Sequence, residues 1–139
     1  MKVLSYFFFY TYIGLVAIAG FWGAFLHPSF DFNLLFDMDI NQATDFQRIN
    51  MLSQYRFLRA LELGFGIFSF IYARQIFNEI KFNTLFLFIM FSGIMARVFS
   101  IFIDGVPGKL ACFFLIYESI GVMLIFFYTR NRVKFYGST

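Results

Sequence analysis

Four apolar stretches of about 20 residues each, at about 4–26, 50–73, 82–103 and 110–129, take up most of this chain. Each is long enough to cross a hydrocarbon core of ~30 Å as a helix. No water is available there for unpaired peptide groups, so a spanning segment must satisfy its backbone internally. Only 14% of the residues are charged and 60% are hydrophobic, where a soluble domain carries about 25% charge. The pattern predicts an all-α integral membrane protein, with residues 1–139 forming one four-transmembrane-helix bundle. Phe supplies 25 residues. It suits lipid-facing and packed helix surfaces alike and assigns no function.

Composition removes several function classes. Cys112 is the only cysteine and His27 the only histidine, so no intramolecular disulfide forms and no multi-thiolate or multi-histidine metal site can be built. No metal or other cofactor is expected. The net charge of +3 sits mostly at the chain ends and in one short connection. That is a topology signal, not a nucleic-acid footprint. Lys2 followed by an apolar run with Ala17-Ile18-Ala19 imitates a cleaved secretory signal. The run continues to Leu26, which favours a retained span.

The connections set the orientation. The segment 27–48 is the longest loop and holds Asp31, Asp37, Asp39 and Asp45 against Arg48. Positive charge lies at Lys2, at Arg74 and Lys81 between the second and third stretches, and at Arg130, Arg132 and Lys134. The positive-inside rule places both termini in the cytoplasm, with the acidic loop and the Asp104-Gly105-Val106-Pro107 turn outside. Thr44 and Gln47 have capping-box spacing, predicting that the second helix begins early, near Asp45. Phe30, Phe32, Leu34, Leu35 and Phe36 would suit an interfacial segment, as an irregular loop also would.

Arg56, Arg59, Glu62, Arg97 and Glu118 interrupt the apolar segments. Such groups are expensive in lipid, roughly 2.5–3.5 kcal/mol each at a helix centre, and mark a partner, a cavity or a function. Arg56, Arg59 and Glu62 share a stripe about 120° wide, and Gly93, Arg97, Ser100 and Asp104 fall within about 60° of one another. Counting ~1.5 Å per residue from the outer ends puts Arg56 and Arg97 about 9 Å deep, Arg59 and Glu118 about 12–14 Å, and Glu62 about 18 Å. The expectation is therefore a charged site in the outer half of the bundle. It comprises Arg56, Arg59, Glu62, Arg97, Ser100 and Glu118, with Asn50 and Asp104 as supporting polar groups. Its carboxylates are expected to accept from the arginines. An internal ion-pair network is one meaning of such a site. A polar pocket for the head group of a lipid or quinone is another, with its tail between Phe-lined helices. Acid-base catalysis by Glu118 or Glu62 is a third, without an adjacent nucleophile or metal.

Other patterns carry less. Asp37-x-Asp39-x-Asn41 opens like a calcium loop, but Gln42 occupies the glycine position and Arg48 the closing-carboxylate position, which excludes an EF-hand. Ala19 with Gly23, and Gly20 with Ala24, have the small-xxx-small spacing of close helix packing within the bundle.

The order of Asn50, Arg56, Gly64 and Gly66, then Ala96-Arg97-Val98-Phe99-Ser100, then Asp104-Gly105-Val106-Pro107, then Glu118 resembles domain-of-unknown-function family 4345, small four-span bacterial membrane proteins. The likeness covers nearly the whole chain and is strongest from Asn50 to Arg130; Arg59 and Glu62 are additions to the family's simpler second span. It implies the four-span fold and the bacterial inner membrane, and it implies no activity. A looser likeness in size and span number, to sterol-binding and sterol-isomerase four-helix membrane proteins and a sterol-biosynthesis scaffold, is an analogy of fold alone. The resulting expectation is a non-enzymatic lipid- or quinone-type ligand-binding protein or accessory subunit. Its partners would be membrane lipids, a hydrophobic ligand and a larger membrane complex, with no nucleic acid. An acid-base lipid-modifying enzyme and a pure scaffold are the alternatives.

Overall fold

The computed structural model describes residues 1–130, 132 and 133. Lys134, part of the C-terminal positive charge, lies outside them. Helices α1 (Lys2–Phe21), α2 (Pro28–Phe36), α3 (Asp45–Ile71), α4 (Ala73–Asn78), α5 (Ile80–Ile103) and α6 (Lys109–Thr129) account for most of the described chain. Among the described residues there is no β-strand.

Among the described residues three segments are long and apolar enough to cross a membrane: Lys2–Leu26, Ile80–Ile103 and Lys109–Thr129. The stretch expected at about 50–73 is the 27-residue α3, in which Arg56, Arg59 and Glu62 interrupt the apolar run. Polarity is distributed inside out. Ser5, Asp31, Ser69, Asn83, Glu118 and Thr129 are buried, while Ile18, Phe57, Phe88, Phe102 and Phe113 are more than half exposed. Apolar side chains spread over so much surface would be an aggregation liability in water.

Local chemistry explains the element ends. α1 continues through a wide π turn, Trp22–Leu26, in which the His27 amide donates to the Trp22 carbonyl at 3.1 Å. Pro28 then opens α2 at a position where a missing N–H does no harm. α2 stops at Asp37, whose φ of 50° is left-handed; aspartate tolerates that conformation better than most residues. The segment predicted as interfacial or irregular is thus a formed helix. A short 3₁₀ turn, Ile40–Gln42, is held by the Asn41 amide donating to Asp39 Oδ1 at 3.0 Å. The capping box closes as the spacing requires. The Thr44 amide donates to Gln47 Oε1 at 3.2 Å and the Gln47 amide to Thr44 Oγ1 at 3.4 Å. α3 ends one residue before Tyr72, and extended backbone at Glu79 separates α4 from α5. Gly105 takes φ 105°, which lets the chain turn before Pro107.

The chain forms two compact units. One is residues 13–68; the other is residues 1–12 together with the described residues from Ser69 onward. In the first unit α1 and α3 approach so closely that a Cβ on Gly20 would lie 2.7 Å from the Leu63 amide nitrogen and 2.8 Å from the Arg59 carbonyl. In the second, Tyr6 stacks on Phe77 at 4.0 Å between ring centroids and Phe9 packs on Phe86 at 5.3 Å. Ser5 Oγ donates to the Leu124 carbonyl at 3.0 Å. Buried Asn83 donates to the Ile76 carbonyl at 2.9 Å and accepts from Thr129 Oγ1 at 3.3 Å, tying α4, α5 and α6 together.

The Gly20 contact is with backbone, which cannot rotate away. Gly20→Ala is therefore expected to destabilise the protein by about 1–3 kcal/mol, the usual penalty of overpacking. A Cβ on Gly64 of the same α3 meets nothing within 4 Å, so Gly64→Ala should be neutral or slightly stabilising. Thermal unfolding in detergent tests the pair; equal melting temperatures for the two variants would contradict the close approach.

Candidate functional site

The predicted site residues fall into two clusters, one inside each compact unit. In the unit of residues 13–68, the Arg59 guanidinium makes two hydrogen bonds and a further ion pair. Nε donates to the Tyr55 hydroxyl at 2.7 Å and Nη1 to Glu62 Oε2 at 2.6 Å; Nη2 lies 3.3 Å from Asp31 Oδ2. The Tyr55 hydroxyl in turn donates to Asp31 Oδ2 at 2.7 Å. The guanidinium carbon also lies 5.0 Å from the Tyr55 ring centroid, within cation–π range. The Arg59 and Asp31 side chains are 14% and 10% exposed, while Glu62 at the other end of the cluster is 45% exposed. The Asp31 carboxylate lies over Gly23: a Cβ there would be 2.6 Å from Oδ2.

Arg56 serves a different need in the same unit. In a continuing α-helix the carbonyl of Ala24 would accept from the amide four residues on. That residue is Pro28, which has no N–H to give. Arg56 Nη1 donates to the Ala24 carbonyl instead, placing a cation where the helix end gathers partial negative charge.

In the other unit, Arg97 on α5 faces Glu118 on α6, with Nε 3.4 Å from Oε2. The Glu118 side chain is 9% exposed and that of Arg97 is 45% exposed. The Tyr12 hydroxyl donates to Glu118 Oε1 at 3.4 Å. Beside Glu118 a cavity of about 10 Å³ is bounded by Phe8, Phe9, Tyr12, Phe86, Met90 and Tyr117, among others, room for about one water molecule. Ser100 Oγ donates to Asp104 Oδ2 at 2.8 Å along α5. Asn50 is exposed on α3.

The charge clusters differ in what they leave available. Arg59 has its nitrogens on three oxygens. Arg97 touches a carboxylate through Nε, and no partner is found for its terminal nitrogens among the described residues. One helical turn from Arg97, a Cβ on Gly93 would meet nothing within 4 Å, so the surface is notched beside the guanidinium. Among the described residues no group of three or more His, Cys, Asp and Glu side chains is placed to hold a metal.

Sequence reasoning missed Asp31, Tyr55 and Tyr12. Asp31 read as one of several acids in an outer loop. Its burial was foreshadowed only by Pro28 three residues earlier, which starts a helix and puts Asp31 in its first turn, where a carboxylate is favoured. Tyr55 lies four residues before Arg59 and so on the same helix face. Tyr12 lies in an uncharged apolar run and is 106 residues from Glu118, with no local signal of the contact.

Loss of the Arg56 guanidinium should leave the Ala24 carbonyl without a donor. Arg56→Met is expected to destabilise the protein by about 1–3 kcal/mol, with Arg56→Lys intermediate because it keeps charge and loses the planar fork. Denaturation in detergent reads this directly, and an Arg56→Met variant as stable as the parent would remove the capping role.

No curated protein and no solved structure matches the chain. Residues 2–129 match the family described as Domain of unknown function (DUF4345), and the chain belongs to that family.

Proposed function

We propose that this is a non-enzymatic four-span protein of the bacterial inner membrane that binds a lipid- or quinone-type ligand, as a binding protein or as an accessory subunit. In this reading α3 is the fourth span, admitted to the bilayer because its charges are matched by Asp31, Tyr55, Glu62 and the Ala24 carbonyl. Both termini are cytoplasmic. The cluster around Arg59 is architectural, and the ligand's polar end sits at Arg97.

The observation that carries the reading is the incomplete coordination of Arg97. It stands six positions before Ile103, the end of α5, so it lies about 9 Å inside the helix end. A guanidinium at that depth needs acceptors for its remaining donors. Buried Glu118 fixes its Nε edge and leaves the other edge to accept a phosphate, carboxylate or quinone carbonyl, the planar groups and oxyanions that arginine holds best. Ile89, Gly93 and Arg97 succeed one another at four-residue spacing on one helix face. An apolar tail can lie along that face through the open space at Gly93.

Native mass spectrometry of the detergent-extracted protein tests this. A specific lipid- or quinone-sized adduct is expected on the parent, absent or reduced at least about tenfold in Arg97→Ala and partly retained in Arg97→Lys. No bound species on the parent, or an undiminished adduct on a folded Arg97→Ala variant, would sink the proposal.

A further inference from the structure

A second polar site, which uses none of the residues above, lies where α4 meets α5. A cleft of about 440 Å³ is lined by Arg74, Gln75, Asn78 and Glu79, within the size range of small-molecule sites. Its chemistry is of both signs and is uncompensated. Neither Arg74 nor Glu79 takes part in an ion pair among the described residues, although both line the same cleft. Glu79 is the N-cap residue of α5, yet its side chain makes no capping bond. Gln75 Oε1 is buried with no hydrogen-bond partner in the protein, an arrangement that ordinarily implies a missing donor. Asn78 Nδ2 is already spent on the Arg74 carbonyl at 2.6 Å, leaving its Oδ1 as another acceptor. The site thus offers one cation, one anion and the Asn78 amide oxygen as an acceptor.

The location narrows the ligand. Ile80 begins one of the helices apolar enough to cross a membrane, and Glu79 immediately precedes it. Tyr72 stacks on Phe82 at 5.0 Å between ring centroids beside the same junction, as aromatic rings do at the polar edge of a bilayer. Lys81 adds positive charge next to the cleft.

We infer that the Arg74–Glu79 cleft binds a phosphate–primary ammonium zwitterion, the chemistry of an ethanolamine phospholipid head group. The phosphate takes the guanidinium of Arg74. The ammonium has three donors, which serve the Glu79 carboxylate and Asn78 Oδ1. A quaternary choline group carries the charge but no donor for Asn78, and a glycerol head group carries donors but no charge for Glu79. Recognition by a donor-and-charge pair is the kind that rejects analogues lacking either.

The test is native mass spectrometry of the full chain in detergent, titrated with phosphatidylethanolamine, phosphatidylcholine and phosphatidylglycerol of identical acyl chains. Retention of the ethanolamine lipid is expected to exceed that of the other two by about tenfold. Glu79→Gln should remove the preference over phosphatidylcholine, and Arg74→Gln should weaken ethanolamine-lipid binding by a similar factor. Both side chains lie on an open cleft, so the variants should fold. Arg97→Ala should leave the preference intact, which separates this site from the one proposed at Arg97. Competition by soluble O-phosphoethanolamine would extend the assignment to the free zwitterion. Preference without competition would confine it to the lipid. Equal retention of the three lipids, or a preference that survives in an Arg74→Gln/Glu79→Gln double variant, would overturn the inference.

Discussion

Arg59 carries a charge that no accessible pH removes, and it sits in the middle of α3 with its side chain largely buried. Its charge is met by three oxygens: Tyr55 at 2.7 Å, Glu62 at 2.6 Å and Asp31 at 3.3 Å. Two of these oxygens come from α3 itself and one from α2, and the carboxylate from α2 fits because Gly23 has no side chain. The bonds therefore define how α1, α2 and α3 assemble within their unit. Leaving such a group unpaired after removing its partner is far more costly than the pair's net contribution, because the remaining charge stays buried. The cluster acts less as a source of stability than as a restriction on alternative packings.

The same constraint operates on the backbone. Pro28 both starts α2 and deprives the Ala24 carbonyl of its donor, and Arg56 makes good the loss. Asn83 and Thr129 do comparable work in the other unit, where Asn83 satisfies the Ile76 carbonyl at the break between α4 and α5. In each case a helix interruption and a polar side chain elsewhere in the sequence belong to one device.

Helix positions were legible because they depend on local signals. Composition marked the apolar segments, Thr44 and Gln47 marked the start of α3, and Gly105 with Pro107 marked a turn. The i, i+3 spacing of Arg59 and Glu62 already placed them on one face. What could not be read was the long-range partner. Asp31 is 28 residues from Arg59, in a segment whose composition suits a loop, a surface strip or a helix equally well. Only the packing at Gly23 decides that its carboxylate is buried. The break at Tyr72 was equally silent, since an apolar run says how long a segment remains lipid-compatible and not where its hydrogen bonding changes. The cleft at Arg74 and Glu79 followed from that break and went unread with it.

The interior beside Glu118 limits how a ligand can be accommodated at Arg97. The aromatic rings of Phe8, Phe9, Phe86 and Tyr117 close the space to about 10 Å³, so an acyl or isoprenoid chain has no room there. Opening that space would mean separating packed rings, each pair of which contributes about 0.5–1.5 kcal/mol beyond its buried area. A tail lying outside, along Ile89 and Gly93, disturbs none of these contacts and exchanges one apolar surrounding for another. Only the head group then distinguishes the ligand from bulk lipid. In the proposed function, selectivity would therefore rest on the guanidinium edge that Glu118 leaves open, and substitutions on the apolar face would alter affinity more than identity.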